Sequence, residues 1–208
     1  MISGAILAGG QNRRMGGKMK ALLRLDGQLF IERQLAELSQ LCSEIIIVAN
    51  EPELFEAQLA WPHAQMRIVP DKQLGKGPLA GLQAAMAAVT HSEELWVVAC
   101  DMPYASAEAA QVLLGQLRSG ARHGGHDLAL PLIAGRLQPL HAIYHRRCLQ
   151  AIDQQLAEGR YRIMELVEQM DAIAVEERFF LERQIALDFV GNVNEPSDLA
   201  GLKNNSQC

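Results

Sequence analysis

The sequence predicts an α/β protein: a single-domain, Rossmann-like architecture in which a mostly parallel sheet carries helices on both faces. Three observations lead there. Short apolar runs rich in β-branched residues recur along the chain, segments of helical period stand between them, and turn residues bound both. A strand followed by a helix and then another strand implies a crossover connection, and repeated crossovers of one hand lay strands side by side in parallel.

The first strand is expected at 2–7 (ISGAIL), an apolar run that stops at Gly9-Gly10. A helix at 30–41 follows, read from its helical spacing. Strands are expected at 44–49, with three consecutive isoleucines, and at 66–69. The alanine-rich segment 79–89 reads as a helix, LWVVAC at 95–100 as a buried strand, 107–117 as a helix and 128–132 as a strand. In the second half, LQPLHAIYH (137–145) reads as a strand, 148–158 and 162–170 as helices, and 185–190 as a final strand. Pro196 suits the start of a short helix at 197–202, and the tail 203–208 is expected to be disordered. Neither a repeat nor a Pro/Gly/Ser linker interrupts the chain, so 1–208 is expected to be one domain.

Composition narrows the function. The 208 residues are 49% hydrophobic and 21% charged, in keeping with a packed soluble core. A net charge of −5 repels a nucleic-acid backbone, so phosphate binding has to come from a local basic cluster. The sequence holds no apolar run of the roughly 20 residues that cross a bilayer, and no basic segment precedes ISGAIL. No nucleic-acid or membrane partner is therefore expected, and the protein is expected to be cytoplasmic. Cys42, Cys100, Cys148 and Cys208 form no CxxC pair and read as idle or buried thiols. His141 and His145, like His123 and His126, have no cysteine or carboxylate companions at metal-ligand spacing.

The local basic cluster is LAGGQNRRMGGKMK, residues 7–20. In an open α/β sheet ligands bind beyond the carboxyl ends of the strands, and this loop leaves the first of them. Gly9 and Gly10 offer positive φ and bare amides to a phosphate, while Arg13, Arg14, Lys18 and Lys20 supply charge. A Walker A reading through Lys18 fails because Asn12 stands where glycine is needed and Met19 where Ser or Thr is needed; GxGxxG does not fit either.

The whole stretch LAGGQNRRMGGKMKALL resembles the signature of nucleotidyltransferases that attach nucleotides to molybdopterin. PDKQLGKGPLAG (70–81), VVACDMPY (97–104), LQPLHAIY (137–144), EGRYRIMEL (158–166) and NVNEPSDL (192–199) continue the resemblance, in family order, to the molybdenum cofactor guanylyltransferase branch. It implies a nucleotide-diphospho-sugar-transferase-like fold and Mg²⁺-dependent transfer of GMP from GTP to molybdenum-bound molybdopterin. Pyrophosphate would be released, and cofactor-delivery proteins would be further partners. It also implies that Leu7, Ala8 and Gly9 meet the base and sugar through backbone groups and that Asn50 and Asp71 contact the nucleotide. Lys20 and Arg14 would neutralise charge at the transferring phosphoryl group, and Asn192, Asn194, Arg160 and Arg162 would serve molybdopterin. Gly10 and GPLAG favour guanine over cytidine in the same comparison. Asp101, at the carboxyl end of LWVVAC, is the expected Mg²⁺ ligand, because a hard dication bound with a triphosphate needs only one or two protein carboxylates. Met19 departs from the pattern, which commonly has aspartate before the lysine, and leaves Lys18 and Lys20 as rival catalytic cations. A CTP-dependent or sugar-phosphate nucleotidyltransferase and an inactive nucleotide-binding regulator are the alternatives.

Overall fold

The structure, a computed structural model, describes residues 2–9, 19–56, 66–71, 73, 75–120 and 125–193. The chain opens with β1 (Ile2–Leu7), a short 3-10 turn at Lys20–Leu22 and a hairpin of β2 (Arg24–Leu25) and β3 (Gln28–Leu29). Next come α1 (Phe30–Leu38), β4 (Cys42–Val48), α2 (Pro52–Glu56), β5 (Met66–Val69), α3 (Pro78–Ala88), β6 (Glu94–Ala99) and α4 (Ala107–Arg118). The second half supplies β7 (Leu128–Ile133), β8 (Arg136–Leu137), β9 (His141–His145), α5 (Cys148–Ala157), α6 (Ile163–Gln169), β10 (Ala172–Glu176) and α7 (Glu177–Leu181).

One sheet runs through the molecule in the order β10-β7-β9-β6-β1-β4-β5, with β8 paired to β7. All neighbours along that order are parallel except β9, which is antiparallel to both β6 and β7. The predicted α/β class and mostly parallel sheet are thus present. β1 lies between β4 and β6 and is buried along its whole length. Its alternation divides the core: Ile2 and Ile6 join the layer that packs under α1 and α4, while Ala5 and Leu7 join the layer under α3, α5 and α6. Each fully buried branched side chain in these layers contributes about 1.5–3 kcal/mol. α1 approaches so closely that a Cβ on Gly4 would lie 2.7 Å from a Leu38 methyl carbon.

At the amino-terminal side of the sheet a carboxylate is buried inside this apolar frame. Glu44 is only 3% exposed, and it accepts from the Ser3 hydroxyl, the Thr90 hydroxyl and the backbone N–H groups of Thr90 and His91. Arg67 pairs with it at 2.9 Å. Burial by itself would raise its pKa, but the donors from Ser3, Thr90 and His91 outweigh burial and hold it near 2. A carboxyl whose folded pKa is depressed stabilises the native state above its unfolded pKa and loses that contribution as pH falls. The difference from the ordinary 4.5 is therefore expected to remove about 3 kcal/mol of stability between pH 4.5 and 2. Glu44→Gln should be destabilised at neutral pH and show a flatter stability profile through that window, measured by denaturant unfolding at stepped pH.

Two sequence expectations are corrected. The run 137–145 is not one strand: β8 and β9 are separate, because Pro139 supplies no N–H and the chain turns at 138–140, with the His141 N–H donating to the Gln138 carbonyl. The segment 185–190 is not a strand but ends in a 3-10 turn at Leu187–Val190, and β10 occupies the edge beside β7. Ile185 and Phe189, four residues apart, are its buried pair, and the Phe189 ring packs at a tilt against Phe180 and His141. His141 is a packing residue: burial pushes its pKa down to about 3, and its neutral ring accepts from the Ser106 N–H while lying edge-on to Trp96. The expected helix at 197–202 and tail at 203–208 lie outside the described residues.

Candidate active site

Parallel pairing of β1, β4, β5 and β6 brings their carboxyl ends to one edge, with the strand order diverging on either side of β1. That is where an open α/β sheet leaves a crevice. Backbone bonds tie the exits together: Cys100 N–H donates to the Leu7 carbonyl, Ala8 N–H to Val48 and Ala49 N–H to Val69. Beyond them lies a cavity of about 430 Å³ lined by Leu7, Gly9, Lys20, Asp71, Gly77 and Asp101 among others.

The charged centre of the cavity is an ion pair. Lys20 Nζ stands 3.1 Å from Asp101 Oδ2, with both side chains about one-fifth exposed. Lys20 opens the 3-10 turn that follows Met19, and Met19 packs its side chain against the apolar core. Asp101 follows β6 in a tight turn, where its carbonyl accepts from the Val193 N–H at 2.8 Å. The sequence-predicted carboxylate and lysine, far apart in the chain, therefore meet.

Asp71 is buried at the exit of β5, its N–H donating to Asn50 Oδ1 and its Oδ1 accepting from the Gln73 N–H. Asn50 is exposed at the exit of β4, bonded to Asp71 and close to Gly9, and Ala8 is buried in the core. Gly9 differs from expectation: its φ is not in the left-handed region, and its role is proximity, since a Cβ there would lie 3.5 Å from Asn50 Nδ2. Positive φ is needed instead at Gly75 (φ 76°) and Gly77 (φ 80°), which shape the loop entering α3 and line the cavity. Gly10, Arg13, Arg14, Lys18 and Asn194 lie outside the described residues.

The residues expected to serve molybdopterin sit at two places. Asn192 directly precedes Val193 and so lies beside the Asp101 backbone. Arg160 is paired with Glu158 and Glu165, and Arg162 caps α6 with its carbonyl held by Gln155 Nε2. Between those arginines, Tyr161 carries Lys76 Nζ 4.4 Å from its ring centroid, so their turn touches the 75–77 loop. That contact escaped the sequence reading, and the residues' distance apart in sequence gave no signal for it. Cys100 lines the cavity, but burial, with help from the Asp101 charge, pushes its thiol up to about 12, so it stays protonated and chemically idle.

Asp101 fits a hard dication. Among the described residues no set of three or more His, Cys, Asp and Glu side chains could enclose a metal, but a cation that shares a triphosphate needs only one or two carboxylates in an open cleft. No described helix is long and apolar enough to cross a membrane.

Comparison with known proteins agrees with this geometry. The family described as the MobA-like NTP transferase domain matches residues 4–173. A probable molybdenum cofactor guanylyltransferase of Pelotomaculum thermopropionicum is 35% identical over 198 residues, covering 95% of this chain and 89% of that protein. Among solved structures, molybdopterin-guanine dinucleotide biosynthesis protein A of Archaeoglobus fulgidus superposes with a TM-score of 0.76 at 23% identity, covering 99% of this chain and 98% of that one. A 4-diphosphocytidyl-2C-methyl-D-erythritol synthase of Anaerococcus prevotii gives 0.75 at 14% identity over 100% and 96% of the two chains, so the architecture is shared by enzymes named for different nucleotides. On the profile match and the relatives that span nearly all of its length, the chain belongs to the MobA-like NTP transferases, in the molybdenum cofactor guanylyltransferase family.

Proposed function

We propose that this chain transfers GMP from GTP to the terminal phosphate of molybdopterin and releases pyrophosphate. The observation that carries the reading is the Lys20–Asp101 pair facing a cavity whose walls include glycines from the loops after β1 and β5 and the 99–101 segment leaving β6. An oxygen of the molybdopterin phosphate forms the new bond to the α-phosphorus of GTP while the bond to the bridging oxygen breaks, and the electron pair leaves with pyrophosphate. The attacking oxygen is already anionic, so the site needs alignment and charge neutralisation rather than a strong base. Lys20 meets the α-phosphoryl oxygens, and Arg14 adds charge on the leaving side. Leu7, Ala8, Gly9 and Gly10 approach the base and sugar, supported by Asn50 and Asp71.

Asp101 would hold Mg²⁺, which when bound supplies charge neutralisation across the phosphates. Asn192 and Asn194 offer amides to the pterin edge, and Arg160 and Arg162 offer charge to its phosphate. Cofactor-delivery proteins would supply the molybdopterin.

GTP with Mg²⁺ is expected to raise the melting temperature more than CTP or ATP does. At a hundredfold excess over Kd the gain is about 2.7 kcal/mol, or roughly 5–10 °C for a chain of this size. An equal or larger shift with CTP overturns the guanine reading, and release of pyrophosphate only on addition of molybdopterin identifies the acceptor.

A further inference from the structure

Within the apolar face of α1, where Phe30, Ile31, Leu35 and Leu38 are buried, Gln34 is also fully buried. A buried amide is retained against its desolvation cost only if its polar atoms are used. Gln34 Nε2 donates both of its hydrogens, one to the Ala99 carbonyl at 2.7 Å and one to the Met102 carbonyl at 2.9 Å. The orientation of the amide follows from those partners, because the reverse placement would set Oε1 against two carbonyl oxygens. Oε1 is left without a hydrogen-bond partner among the described residues, so the side chain is not arranged to satisfy itself.

The two carbonyls it grips are those on either side of the Cys100-Asp101 dipeptide. Without Gln34 the turn is closed by one backbone bond, from Met102 N–H to the Ala99 carbonyl at 3.1 Å. One turn further along α1, Glu37 Oε2 accepts from the Ala107 N–H at 2.8 Å, so the helix holds the segment leaving β6 at both ends. Asp101 is thus fixed from three directions: by β1 through the bond from Cys100 N–H to Leu7, by the 190s segment through Val193 N–H, and by α1 through Gln34.

We propose that Gln34 is a positioning residue for the phosphoryl-transfer centre, holding the turn at 99–102 so that the Asp101 carboxylate keeps its place opposite Lys20. It touches no substrate and acts only through the backbone on which Asp101 is carried. The proposal rests on the guanylyl-transfer reading above. Loosening that turn spreads the carboxylate over positions that no longer match the bound triphosphate, and small misplacements of this kind lower the chemical step more than they lower ground-state binding.

The test is Gln34→Met in the full chain, which keeps the side chain's length and removes both donors. The expected result is a kcat lower by about tenfold or more with KM for GTP changed less than about twofold. Weaker Mn²⁺ binding in the presence of GTP, read by paramagnetic resonance, should accompany it. Leu35→Ala is the control: it opens a cavity beneath the same helix while keeping the Gln34 amide and its two bonds to the 99–102 turn, so it lowers the melting temperature and leaves kcat near that of wild type, assayed well below each melting point. A kcat for Gln34→Met within about twofold of wild type, or an equal kcat loss in Leu35→Ala, overturns the proposal, since either outcome makes Gln34 a stabilising residue only. Should the methionine variant fail to fold, Gln34→Asn carries the same test, because its amide stops one methylene short of the two carbonyls. Wild type and Asp101→Asn run alongside separate the two readings. No turnover in wild type overturns both, whereas active wild type, inactive Asp101→Asn and unimpaired Gln34→Met overturn this one alone.

Discussion

Asp101→Asn is expected to leave a folded protein whose turnover has fallen by about a hundredfold or more. The substitution keeps the shape of the side chain and none of the charge. The backbone at this position is held independently of the carboxylate, through the Val193 N–H on its carbonyl and the bonds that close the 99–102 turn, so the turn should persist. What is lost is a charged partner of Lys20, at 3.1 Å, and the carboxylate proposed to hold Mg²⁺ against the triphosphate. As a stability term the pair is small, because desolvating two mostly buried charges offsets much of their attraction. As a catalytic term it is large, because charge placed in advance at the reacting phosphates costs nothing to reorganise during the step. Pyrophosphate release at saturating GTP and Mg²⁺, beside an unchanged circular dichroism spectrum, checks the expectation. Near-normal turnover would mean that the dication is held by other residues.

The parts of this molecule that were legible in the sequence are those where one physical requirement dominates. β1, β4 and β6 are buried on both faces, so they read as unbroken apolar runs, and Asp101 and Asp71 were placed correctly as the polar residues at strand exits. β10 was missed because it lies at the sheet edge with only Val175 buried, which leaves little hydrophobic signal. The β2–β3 hairpin did carry a signal: Asp26-Gly27 takes positive φ at both residues, as a two-residue turn between antiparallel strands requires. Residues 185–190 alternate as a strand would, yet the same apolar positions suit a turn that buries Ile185 and Phe189 together, and periodicity over so short a run does not separate the two. In the site, the sequence located the basic, glycine-rich entrance and put left-handed backbone at Gly9 and Gly10; Gly9 does not adopt it, Gly10 lies outside the described residues, and among the described cavity-lining glycines it occurs at Gly75 and Gly77. Contacts such as Lys76 on Tyr161 depend on how two loops face each other, a property of the assembled sheet rather than of either segment.

The same distinction bears on which cation works at the transferring phosphoryl group. The family resemblance put the catalytic charge at Lys20, but Met19, where the pattern has aspartate, left Lys18 as a rival. In the structure Met19 has extended backbone and packs into the core, which turns the next residue, Lys20, to Asp101 and the cavity. Lys20→Ala is therefore expected to lower kcat by about a hundred to a thousandfold while GTP binding weakens only modestly, equivalent to roughly 3–4 kcal/mol of lost transition-state stabilisation. Lys18→Ala, removing a charge from the outer phosphates or from solvent, should cost less than about tenfold. Single-turnover rates with saturating GTP separate the chemical step from product release and decide between them. A crippled Lys18→Ala beside a mild Lys20→Ala would move the catalytic assignment to Lys18. It would also reduce the Lys20–Asp101 pair to a contact that shapes the wall of the cavity without meeting the reacting phosphate.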